Sequence, residues 1–129
     1  KNILLTKEFG SEHNKFCSEL RKIALSSEYD IDETAGQILF AAIVKQHMEK
    51  VIKPNLNNPN IEIILSDRGI DSNFAYGPSH GISNKIIKQI FTPAYEKAKK
   101  PDLTFYLDID PNLAARRRAE RTPEAFKNN

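Results

Sequence analysis

Asp67 and Arg68 stand side by side directly after the apolar run IEIILS (61–66), and the stretch SDRGIDSNFAYGPSHG (66–81) then strings together small polar residues, aromatics, glycines and a proline. Arg68 supplies a permanent cation whose planar fork of donors can grip a phosphate through two hydrogen bonds. Asp67 beside it could orient that fork, accept a proton, or hold water on Mg2+. A solvated ion pair at a strand end would satisfy the same two residues while contributing little. The surroundings must decide between these uses.

Three short β-prone runs are present: NILLT (2–6), IEIILS (61–66) and LTFYLDI (103–109). Each is apolar and ends in polar residues, which predicts strands. Helical spacing falls between them. Phe16, Leu20, Ile23 and Ala24 share one face, and residues 34–52 are apolar nearly all round, which predicts a largely buried helix. Ser83 offers an N-cap to a helix carrying Ile86, Ile87, Ile90 and Phe91, which Pro93 should kink or end. Asp110 and Pro111 suit the N-cap and first position of a last, arginine-rich helix. Residues 55–60, NLNNPN, read as a turn. Strands alternating with helices predict parallel pairing in a doubly wound α/β sheet, whose ligands sit outside the carboxyl ends of the strands. TKEFG (6–10) and SDRG (66–69) both fall at that edge.

The 129 residues, 40% hydrophobic, support one core. Nineteen Lys and Arg against seventeen Asp and Glu leave a net charge of +2, too small a field to draw in nucleic acid or an anionic membrane. An anion must be bound locally. Cys17 is the single cysteine, which rules out an intrachain disulfide and a zinc cluster and suits the cytosol. No apolar stretch is long enough to span a bilayer.

Four stretches occur in one order: TKEFG (6–10), ILFAAIVKQH (38–47), DRGIDSNFAY (67–76) and KPDLTFYLDIDP (100–111), the last followed by AARRRAER (114–121). Together they resemble the thymidylate kinase family of P-loop nucleoside monophosphate kinases, with its Thr-Arg-Glu-Pro-Gly loop, Leu-Phe-Ala-Ala helix, Asp-Arg-Tyr loop and Pro-Asp-Leu-Thr strand. The resemblance implies a three-layer doubly wound parallel sheet, incomplete at both ends, in a single partial domain over 1–129 with a lid starting at 116–129. It implies phosphoryl transfer from ATP, with Mg2+, to a deoxynucleoside monophosphate, dTMP first, in a cytosolic homodimer paired through its buried helices.

Carried over residue by residue, Arg68 holds the 5′-phosphate of the acceptor, Arg21 is a second phosphate ligand, and Asp67 serves the metal. Phe40 stacks on the base, Tyr76 presses on the sugar, Asn73 bonds the base edge, and Lys7 and Glu8 face the sugar and phosphate. Arg117 lies near the adenine of ATP, and Arg121 is a lid arginine that supplies charge to the transferring group. Arg116 and Arg118 read as a solvated basic face.

The chain departs from the family pattern in three places. Its five glycines, Gly10, Gly36, Gly69, Gly77 and Gly81, include no Gly-Lys pair, so the phosphate-cradling loop of this class is expected in sequence preceding Lys1. RTPEAFKNN (121–129) likewise reads as stopping within the lid. Val44 and Gly77 stand where the pattern has an arginine and a glutamine that read thymine, which leaves open another deoxynucleotide as acceptor or a relative that binds nucleotide without catalysis. Phe9 and Lys7 replace proline and arginine, and about two extra residues precede Arg21. A nucleoside acceptor fits less well, having no phosphate for a second cation.

Overall fold

The computed structural model describes residues 2–9 and 14–120. It divides the chain into two compact units, residues 1–99 and 100–129.

In the first unit β1 (Ile3–Lys7) and β2 (Ile63–Asp67) pair in parallel, Ile3 beside Ile63 through Lys7 beside Asp67. Glu62 N–H to the Asn2 carbonyl (3.0 Å) and Glu8 N–H to the Asp67 carbonyl (3.2 Å) extend the ladder at both ends. Parallel strands need a long crossover. Here it is helical: α1 (Lys15–Leu25), α2 (Glu33–His47), a π-helical segment (Met48–Ile52) and α3 (Lys53–Leu56). Ile3, Leu5, Ile63 and Leu65 alternate onto an exposed face, while Thr6 is buried and its hydroxyl lies 3.1 Å from His47 Nε2, which ties the sheet to α2.

Local chemistry explains the helix boundaries. The Asn14 carboxamide oxygen accepts from Cys17 N–H, and the Asp32 carboxylate accepts from the N–H groups of Thr34 and Ala35, capping α1 and α2. The expected continuous helix over 34–52 instead widens at Met48, where Lys53 N–H reaches back five residues to the Met48 carbonyl. Pro54 follows immediately and has no N–H to give a regular ladder. The buried face of α1 also differs from expectation: Phe16 and Ile23 are exposed, and Cys17 is the fully buried residue, its Sγ 3.6 Å from the Ile43 carbonyl on α2. Ile38 on α2 is exposed too.

Residues read from sequence as a loop form α4 (Ile70–Ser79), which buries Asn73 and Gly77. α5 (Asn84–Tyr95) starts at Ser83, whose hydroxyl accepts from Ile86 N–H, and continues two residues past Pro93. Its buried Ile87, Phe91 and Ala94 join Ala41, Val44 and Ile82 in the core, edged by Phe9, Phe40, Met48, Phe74, Ile90 and Tyr95. That packing outweighs the one hydrogen bond lost at the proline.

In the second unit Asp110 caps α6 (Pro111–Ala119) as its sequence requires, accepting from Asn112 N–H (2.9 Å) and Leu113 N–H (3.0 Å). The run 103–109 forms no strand in the described residues, and Leu103, Phe105, Tyr106 and Leu107 are exposed. A strand exists only through the ladder it shares with a neighbour. The two-stranded sheet is thus the parallel β-structure described.

Candidate functional site

Parallel pairing places the carboxyl ends of β1 and β2 at one edge, so Lys7 and Glu8 emerge next to Asp67 and Arg68 although sixty residues separate them in sequence. Arg68 turns the chain there with φ 72. This left-handed conformation costs a non-glycine residue about 1–2 kcal/mol. Ser66 Oγ donates to the Arg68 carbonyl at 2.9 Å, which helps to hold the turn. The turn presents Arg68 towards α4, where its Nη1 donates to the Tyr76 hydroxyl at 3.0 Å and its guanidinium carbon lies 5.4 Å from the centre of the Tyr76 ring.

Glu8 is only 3% exposed. Its Oε1 accepts from the Asn73 carboxamide at 3.1 Å, and the same Asn73 nitrogen donates to the Tyr95 hydroxyl at 3.2 Å. Glu8 Oε2 has no hydrogen-bond partner among the described residues. Burial raises the Glu8 pKa to about 7, against the Asn73 hydrogen bond and the charge of Arg68, with Asp71 adding to the rise. Near neutral pH this carboxyl is therefore divided between its charged and neutral forms.

Arg21, four residues after the buried Cys17 on α1, is partly buried. Burial and the nearby Arg68 both lower its pKa, although a guanidinium stays charged throughout the physiological range. Its guanidinium carbon lies 5.6 Å from the Phe9 ring centre, and Phe9 packs on Phe40 with centroids 4.9 Å apart at 56°. Two cations, an orphaned carboxylate oxygen and a run of aromatic surface thus meet at the strand edge. The arrangement suits an organic anion: the forks bind its charge, and the rings bind its apolar part.

Of the residues singled out from sequence, Glu8, Arg21, Arg68, Asn73 and Tyr76 are joined by these contacts and fields, and Phe40 reaches them through Phe9. Asn73, read as a loop residue, is a buried helical one. Asp67 is exposed at the same edge, and no group of three His, Cys, Asp or Glu among the described residues could hold a metal. A single open carboxylate fits Mg2+, which takes one or two protein carboxylates and completes its shell with water and phosphate oxygens. Arg117 lies on α6, in the second unit, and Arg121 lies outside the described residues. The cradle expected for the phosphates of ATP is not among these 129 residues.

Sequence reasoning missed Phe9 and Tyr95 as partners of the site. An aromatic directly after Glu8, in a loop at the ligand-binding edge, was the available signal for Phe9. Gly77 meets its neighbour closely: a Cβ there would overlap Cγ1 and Cδ1 of Ile87. Val44, fully buried, belongs to the same core. Neither position can bring a polar side chain to a ligand.

The family model for thymidylate kinase matches residues 1–129. The chain is 37% identical over 116 residues to a thymidylate kinase of Lactobacillus acidophilus, covering 88% of this chain and 51% of that protein. It is 33% identical over 122 residues to one of Mycoplasma mobile (94% and 57%), and 38% identical over 123 residues to one of Trichodesmium erythraeum (92% and 52%). The chain belongs to the thymidylate kinase family, and it spans about half the length of the curated relatives it matches.

Proposed function

We propose that this chain is the acceptor-binding part of an enzyme that transfers the γ-phosphoryl group of ATP to dTMP, giving dTDP and ADP. One observation carries the reading: Arg21 and Arg68 are two neighbouring cations each laid over a ring, Phe9 and Tyr76, and burial first and the Arg68 charge second lower the Arg21 pKa, with no hydrogen bond or carboxylate on Arg21 among the described residues. Two neighbouring cations repel each other, and an anion that joins both relieves the repulsion. A monophosphate is such an anion, and its neutralisation eases the approach of a triphosphate.

In this reading Arg68 and Arg21 hold the 5′-phosphate, Lys7 adds a point charge, Phe40 stacks on the base and Tyr76 closes on the sugar. Glu8 offers its open Oε2 to the nucleoside, and Asn73, whose two N–H groups go to Glu8 and Tyr95, keeps its carbonyl oxygen for the base edge. Asp67 would hold a share of a Mg2+ shell, a group that would supply positive charge against that of the phosphates. Arg117 serves the adenine of ATP and Arg121 the transferring group. Pairing of two copies through the buried helices and a cytosolic location belong to the same proposal.

A second reading, a kinase for a different deoxynucleoside monophosphate, is favoured by the apolar setting of Val44 and by the contact of Gly77 with Ile87. ADP release by the full-length protein with dTMP, dUMP, dGMP and dCMP tests both. Highest kcat/KM with dTMP is expected. Preference for another base selects the second reading, and turnover with none of the four excludes both.

A further inference from the structure

Each of the two site cations rests on an aromatic ring rather than on a carboxylate: Arg68 over Tyr76 at 5.4 Å and Arg21 over Phe9 at 5.6 Å. The distinction matters for an anion site. A carboxylate would fix an arginine but cancel the charge it has to offer, whereas a ring attracts the cation through its quadrupole without using its N–H groups, of which Arg68 gives one, Nη1, to the Tyr76 hydroxyl. Phe9 is itself held, packed at 4.9 Å on Phe40, which is seated against the core through α2. No hydrogen bond among the described residues fixes the long side chain of Arg21, so the ring is its support on this side.

We propose that Phe9 is a positioning residue: its ring, braced by Phe40, holds the Arg21 guanidinium beside Arg68 so that both forks meet one phosphate of the acceptor. Order is what the ring supplies. Arginine carries a large rotamer entropy, and a side chain already placed loses less when the anion arrives. The link to Phe40 joins the phosphate end of the pocket to its base end through a single pair of rings. The inference rests on the acceptor-site reading above, and the test separates the two.

The experiment is calorimetric titration of the full-length protein with dTMP and with thymidine, which lacks the phosphate, for wild type, Phe9→Leu, Arg21→Ala and the double variant, with melting curves confirming the fold. Phe9→Leu should weaken dTMP about 3- to 30-fold, the range of a partly desolvated cation–π contact. It should change thymidine binding less than about twofold and cause no further loss of dTMP affinity when Arg21 is already alanine. Phe9→Tyr keeps a ring and should keep wild-type affinity; Phe9→Met replaces Phe9→Leu if the latter does not fold. Equal weakening of dTMP and thymidine, or the same loss with and without Arg21, would overturn the proposal, because Phe9 would then act only through packing. A wild-type protein that binds dTMP no better than thymidine would defeat the acceptor-site reading itself.

Discussion

The Asn73 carboxamide on α4 donates to Glu8 Oε1 at 3.1 Å, joining two buried polar side chains sixty-five residues apart at the end of β1. The bond leaves Glu8 Oε2 unpartnered among the described residues, and burial keeps the carboxyl protonated up to about pH 7 against an ordinary value of 4.5. Between those pH values the folded chain holds a proton that the unfolded chain releases. Stability should therefore fall as pH rises from about 4.5 to about 7 and level off above, by about 3 kcal/mol for this group alone. Glu8→Gln removes the titration, so urea melts across pH 5–8 should show a flatter profile in that variant. An unchanged slope would mean that Glu8 is charged when folded.

Arg68 adopts a conformation that glycine tolerates and alanine does not. Arg68→Gly and Arg68→Ala both remove the guanidinium, yet the glycine variant should be the more stable by about 1 kcal/mol, half or more of the left-handed cost. Denaturant midpoints of the two variants measure this directly. Equal midpoints would show that the turn relaxes once the arginine is gone.

Gly77 and Ile87 exclude each other's bulk. Gly77→Ala should cost about 1–3 kcal/mol, the usual penalty of overpacking. Ile87→Val removes one of the two atoms in conflict, so the double variant should lose less than the sum of the single losses. Thermal melting of the four proteins checks this, and simple additivity would contradict the close approach.

Much of this architecture is legible in the sequence where local chemistry decides it. Asp110–Pro111 specifies a helix start by itself, Ser83 does so for α5, and alternating apolar runs mark β1 and β2. Arg68 and Glu8 could be placed at one edge because parallel strands share their carboxyl ends. What was missed depends on partners. α4 contains Asn73, Gly77 and Pro78, poor helix formers, and follows Gly69, which offers no side-chain cap, so the helix exists through its contacts with α5. The run 103–109 has every strand-forming residue, but no ladder forms on it in the described residues. Phe9 read as a substitution for proline, and only the fold shows what its ring touches. Phe40 reads equally as core or stacking surface, and its half-buried ring packs at the rim of the core against Phe9.

The central claim is that Arg68 recognises the phosphate of a nucleoside monophosphate. Its most direct test is the ratio of thymidine to dTMP dissociation constants, measured by titration in the wild-type full-length protein and in Arg68→Ala. The ratio should be roughly 10- to 100-fold in favour of dTMP in the wild type, the worth of charged hydrogen bonds to one phosphate, and should fall most of the way towards unity in the variant. A ratio that survives the loss of Arg68 undiminished would contradict the account.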